Sequence, residues 1–112
     1  MDSRTVEVQG HQRLAALARA NRVRHARAEL KRHIAEGDVS AAEVILFHKR
    51  DVESMPVGDV LTSQRHWGDM RCRRFLMPMR IDEGKTIGSM TERQRRAVAA
   101  RLSGGPAEVV QL

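Results

Sequence analysis

Between His11 and Glu36 the chain has neither proline nor glycine, alanine recurs throughout, and Gly37 follows immediately. Alanine is the strongest helix former, and a glycine just past the last periodic residue is a common C-terminal stop. The run therefore predicts a helix over 11–36, too long for every part of it to lie on a core that so short a chain can build. Val23, Ala26, Leu30 and Ile34 fall on one stripe of its second half, whereas Leu14, Leu17 and Ala18 point elsewhere. The second half is expected to pack and the first half to project.

Helix signals continue beyond Gly37, and strand signals are nearly absent. Ser40-Ala41-Ala42-Glu43 reads as a capping box, with Val39 and Val44 placed as its hydrophobic staple, so a short helix is expected from Ala41. Val44, Ile45, Leu46 and Phe47 would make that helix mostly buried. Pro56 suits the first turn of a third helix with Val57, Val60 and Leu61 on its apolar face. Asp69 is placed as an N-cap, and Cys72, Phe75, Leu76 and Met79 follow at helical spacing until Pro78 breaks the last turn. Thr91-Glu92-Arg93-Gln94 is a second capping-box pattern and opens a basic helix through Ala97, Val98 and Leu102. The expected architecture is all-α: a loose N-terminus over 1–10, a long basic helix over 11–36, a compact four-helix core over 37–102, and a loose tail over 103–112 introduced by Ser103-Gly104-Gly105-Pro106.

Charge narrows the class of partner. Twenty basic residues stand against fourteen acidic ones, a net charge of +6, and 17 of the twenty are arginine. Arginine offers a planar fork of donors matched to phosphate oxygens, so a polyanion is the expected partner. The excess is clustered: residues 11–36, 65–80 and 85–101 together carry +13, and the rest of the chain carries −7. Aromatic residues make up 3% of the chain, too few for a base-stacking platform. Cys72 is the only cysteine, which rules out an intramolecular disulfide and fits a reducing cytosol. The histidines at 11, 25, 33, 48 and 66 include no i,i+4 pair, and no nucleophile, metal-ligand or glycine-loop motif occurs. No enzyme, cofactor or metal is expected. No bilayer-length apolar run or signal segment is present, so the expected location is the cytoplasm, with no membrane partner.

Three groups of residues carry a specific resemblance. They are Leu14-Ala15-Ala16-Leu17 with Arg24-His25-Ala26-Arg27-Ala28-Glu29-Leu30-Lys31, then Ala42-Glu43-Val44-Ile45, then Gly88-Ser89-Met90-Thr91-Glu92-Arg93-Gln94-Arg95-Arg96. Over roughly residues 12–102 the chain resembles the actinobacterial integration host factor family of nucleoid-associated proteins. The resemblance implies a long N-terminal helix followed by a helix-two-turns-helix module, in which a glycine turn between two helices meets a DNA phosphate. Arg65-His66-Trp67-Gly68-Asp69-Met70-Arg71-Cys72 stands where the family has a Pro-Val-Gly-Lys-like turn. Gly68 is kept, while Trp67 replaces an aliphatic residue and Asp69 a basic or small one, which marks the chain as a divergent member.

The candidate DNA-binding residues follow from charge, helix starts and that resemblance. On the long helix they are Arg19, Arg22, Arg24, Arg27 and Lys31; around the glycine turn, Arg65, Trp67, Gly68, Arg71, Arg73 and Arg74; at the last helix, Gly88, Arg93, Arg95 and Arg96. Amides at a helix start, with the positive end of its dipole, favour an anion, although an ionised Asp69 could occupy the same amides. Trp67 is either a wedge between base pairs or partly buried packing, and Cys72 is a buried apolar residue sooner than a reactive thiol. The expected function is sequence-tolerant duplex binding by a monomer in the nucleoid, with bending or compaction. RNA binding, as in a ribosome-associated protein, and sequence-specific regulation are the alternatives, as is docking of the basic helix on an acidic protein.

Overall fold

The structure is a computed structural model that describes residues 3–104, with side chains from Val8 onward. Its helices are α1 (Ser3–Glu36), α2 (Ala41–Leu46), α3 (Val57–Thr62), α4 (Asp69–Leu76) and α5 (Glu92–Leu102). Short 3-10 turns occupy Arg50–Val52, Met77–Met79 and Ile87–Ser89. This is the all-α plan the sequence implies, a long helix followed by four shorter ones, with α3 and α4 joined through residues 63–68.

The division of α1 into a packed and a projecting half matches the stripe analysis. Val23, Ala26 and Leu30 are half-buried and Ile34 is buried, whereas every side chain from Val8 to Arg19 is exposed, Val8, Leu14 and Leu17 among them. The projection sets the shape: the molecule measures 72 × 27 × 24 Å, with a radius of gyration of 18.1 Å against about 13 Å for a compact domain of this size. In one respect the helix departs from expectation. It starts at Ser3, not His11, and runs through Gly10, where a Cβ would meet nothing. The tail expected over 103–112 lies largely outside the described residues; Ser103 caps α5, and Gly104 takes a left-handed φ of +68°.

Helices α2 to α5 close around Ile45, Met55, Val57, Val60, Leu61, Cys72, Leu76, Ile87 and Val98, all buried to 2% exposure or less. No polar or charged side chain is buried among the described residues. The caps explain the helix limits. Ser40 Oγ accepts from the Glu43 amide at 3.0 Å, and the Thr91/Gln94 capping box closes in both directions at 3.0 and 3.1 Å. Pro78 ends α4 as anticipated, leaving the Met77–Met79 turn, after which Arg80 adopts a left-handed φ of 56°.

Four hydrogen bonds lace the 83–88 loop to residues 53–58: Val57 N to Lys85 O at 2.7 Å, Gly58 N to Glu83 O at 2.9 Å, Ile87 N to Met55 O at 2.9 Å and Gly88 N to Glu53 O at 2.8 Å. That loop spans the distance between the α4 and α5 ends of the core and fixes where α5 begins.

Two expectations about packing are corrected. Leu46 and Phe47 do not join Val44 and Ile45 inside; Phe47 is 76% exposed, because α2 ends at Leu46 and the C-cap residue turns outward. The residue before α4 is Gly68, not Asp69, and Asp69 occupies the first helical position.

Candidate nucleic-acid interface

Helix α4 begins without a side-chain cap. Gly68 sits at the cap in extended backbone (φ −96°, ψ −179°), and its carbonyl takes the first helical hydrogen bond from Cys72 N at 3.1 Å. The amides of Gly68, Asp69, Met70 and Arg71 enter no hydrogen bond among the described residues. Asp69 is exposed, and its carboxylate does not turn back onto them. Unfilled donors at the positive end of a helix form an anion-binding site.

Gly68 is not required by its own conformation, which any residue can adopt. Nor is it required by packing, because a Cβ there would meet no atom within 4 Å. The open space faces solvent, as a surface for close approach from outside must. The turn's conformational demand falls instead on His66, which takes a left-handed φ of 66° two residues earlier. Arg65, three residues before Gly68, and Arg74, in the last turn of α4, are both exposed and engaged in no hydrogen bond or ion pair among the described residues.

Trp67 is half-buried against the core, and its ring carries the Arg71 guanidinium 4.3 Å from its centre and Phe75 edge-on at 5.2 Å. Of the two readings of the sequence, the packed one describes it; a side chain covered in this way is not presented as a bare wedge.

The remaining candidates divide by what they touch. Arg73 pairs with Glu83 at 3.0 Å, and that hydrogen bond holds the guanidinium's pKa above its ordinary range. Arg96 pairs with Glu92 at 2.7 Å one helical turn away. Both are exposed pairs, worth about 0–1 kcal/mol, so either arginine can be drawn to a stronger partner. Arg95 is half-buried and donates to the Met90 carbonyl at 2.6 Å; Arg93 is exposed with no partner among the described residues. Gly88 belongs to packing: its amide is spent on Glu53, and a Cβ would come within 2.9 Å of Glu53 Cβ. The α5 capping box likewise consumes the amides of Thr91 and Gln94.

On α1, Arg19 and Arg22 are exposed and free among the described residues, and Arg24 reaches only Asn21 Oδ1 at 3.2 Å. Arg27 and Lys31 have a different position. Arg27 donates to the Ser54 hydroxyl and Lys31 lies 3.8 Å from Asp59, so both tie α1 to the core. Arg101, outside the sequence-derived set, lies over Phe75 at 5.1 Å. Its signal was present as a basic residue in the last turn of α5. Beside the Gly37 turn, His33 meets Asp38 at 3.1 Å with Glu36 adjacent, an exposed cluster that closes the end of α1.

Comparison with known proteins yields one solved fold of this kind. The structure is similar to that of sIHF, the Streptomyces integration host factor, solved bound to an 8-bp palindromic DNA, with a TM-score of 0.69 at 22% identity. The match covers 76% of this chain and 98% of that one. No protein-family model matches the sequence, and no curated protein matches it. The shared fold is the one that the resemblance in the sequence implies, and no helix among the described residues is long and apolar enough to cross a membrane.

Proposed function

We propose that the protein is a non-enzymatic duplex-DNA-binding protein of the nucleoid that grips the phosphate backbone at the start of α4. The carrying observation is the set of four unengaged amides at Gly68–Arg71, beside a glycine whose outward face is open. Arg65 before the turn and Arg71 and Arg74 on α4 add positive charge to the same stretch of chain, and the likeness in fold to a protein solved on DNA supports the same partner. Arg93, with Arg96 released from Glu92, adds charge at the start of α5. Arg19, Arg22 and Arg24 on the projecting half of α1 extend the footprint of a single copy.

Contacts of this kind read phosphate and not base edges, so the binding is largely sequence-tolerant. A duplex that meets both the α4 start and the projecting limb has to curve toward both, which gives bending and, at high occupancy, compaction. Titration of a labelled mixed-sequence duplex at several salt concentrations, with an RNA duplex as competitor, tests the reading. The expected result is a linear fall of log affinity with log salt, about 0.9 in slope for each phosphate neutralised, and no preference for RNA. Salt-independent binding, or displacement by RNA at lower concentration than by DNA, overturns it.

A further inference from the structure

Where Trp67 and α4 meet α5, two rings in edge contact are flanked by guanidinium groups. Arg71 lies over Trp67 at 4.3 Å, Trp67 meets Phe75 at 5.2 Å with an interplanar angle of 78°, and Arg101 lies over Phe75 at 5.1 Å. Each of these arginines is also tethered to a backbone oxygen, Arg71 to His66 O at 3.4 Å and Arg101 to Phe75 O at 3.3 Å. The stack borders an open groove of about 510 Å³ that Arg74 also lines, and among the described residues no carboxylate lines it.

A free arginine side chain gives up rotamer entropy when it is fixed, whereas one already held flat on a ring gives up less on meeting a ligand. Three guanidinium groups around a groove that no carboxylate of the described residues lines call for an anion. The groove includes Trp67, which immediately precedes Gly68 in the chain, and Arg71, whose amide is one of the four at the start of α4. A row of anions in register with that path is what a phosphodiester strand offers.

We propose that this groove is a second phosphate-binding stretch for the nucleic-acid strand, in which Arg71 and Arg101 are pre-set donors and Trp67 and Phe75 are positioning residues that hold them. The inference rests on the duplex-DNA reading and adds Arg101 and the two rings to it. The strand passes from the α4 amides over Arg71 to Arg101 at the far end of α5.

The test uses the full chain and a short mixed-sequence DNA duplex, with affinity measured across a salt series and a denaturation curve for every variant. Arg101→Ala is expected to make the log–log salt slope shallower by about 0.9 and to weaken binding roughly tenfold. Arg101→Lys keeps the slope but loses about 2–5-fold, because the charge remains and the flat stack does not. Trp67→Leu loses about 2–5-fold with the slope unchanged, and it costs nothing further in an Arg71→Ala background. A purely structural tryptophan would cost the same in both backgrounds. Trp67→Phe keeps a ring and restores most of the affinity, which covers the case of a Trp67→Leu variant that does not fold. Wild-type affinity for Arg101→Ala, or equal losses from Trp67→Leu in the two backgrounds, overturns the groove while Arg93→Ala still reports on the duplex reading. Absence of duplex binding by the wild-type protein overturns both.

Discussion

The Gly88 amide donates to the Glu53 carbonyl at 2.8 Å, and the glycine lies so close that a Cβ would come within 2.9 Å of Glu53 Cβ and 3.0 Å of its carbonyl oxygen. Gly68 is its opposite, with nothing within 4 Å of the same position. The two glycines therefore separate stability from binding. Gly88→Ala is expected to cost about 1–3 kcal/mol in urea unfolding and to leave the duplex affinity of the folded protein unchanged, since it forces the 83–88 loop away from residues 53–58. Gly68→Ala is expected to lower stability by no more than about 1 kcal/mol, the loss of a favourable N-cap residue, and to weaken duplex binding roughly tenfold, because the methyl group stands where the phosphate approaches.

His66 carries the backbone strain of the turn. A left-handed φ of 66° disfavours any residue with a Cβ, by about 1–2 kcal/mol. His66→Gly removes that strain but adds freedom to the unfolded chain, so it is expected to raise stability by up to about 1 kcal/mol. The urea midpoint measures this; a lower midpoint would mean that the imidazole makes up for the strain.

Much of this fold is legible in the sequence because its signals are local. The Thr91 capping box, the stop at Gly37 and the break at Pro78 each act within one turn of chain, and each lies where the pattern puts it. What could not be read depends on distant partners. Arg27 and Lys31 look like part of a basic stripe until Ser54 and Asp59 are brought up against them. Gly88 looks like a helix-start donor until Glu53 consumes its amide. The start of α1 escaped because Gly10 and the irregular pattern before it suppress the periodicity on which the expectation rested. The glycine turn was legible, but the ring of Trp67 and its two neighbours across α4 and α5 were not, since the Arg101 stack joins residues 26 positions apart.

Cys72 is buried among apolar neighbours, and burial pushes its thiol above the ordinary value of 9.0, with Glu83 and Asp69 adding to the rise. Native protein is expected to resist alkylation by iodoacetamide at mildly alkaline pH and to react once urea is added. The raised pKa also sets a stability trend. Below about pH 9 the thiol is neutral in both states and its contribution is complete; above it the unfolded chain releases the proton first, so stability falls as pH rises. A Cys72→Ala variant should lack this alkaline decline; if it declines equally, the thiol is not its source.

The side chains of α1 from Val8 to Arg19 are all exposed. Removal of residues 1–22 is expected to leave the urea midpoint near that of the full chain. Duplex affinity should fall, and the salt slope should become shallower by about 0.9 for each phosphate contact the limb supplied. Unfolding of the truncated protein would show that the limb is part of the core.

The four amides at the start of α4 can be watched directly. In a ¹H–¹⁵N correlation spectrum, titration with a mixed-sequence DNA duplex is predicted to move the Gly68, Asp69, Met70 and Arg71 resonances downfield and to saturate them together, as new charge-assisted hydrogen bonds to phosphate form. Saturable duplex binding that leaves those four resonances in place would contradict the account.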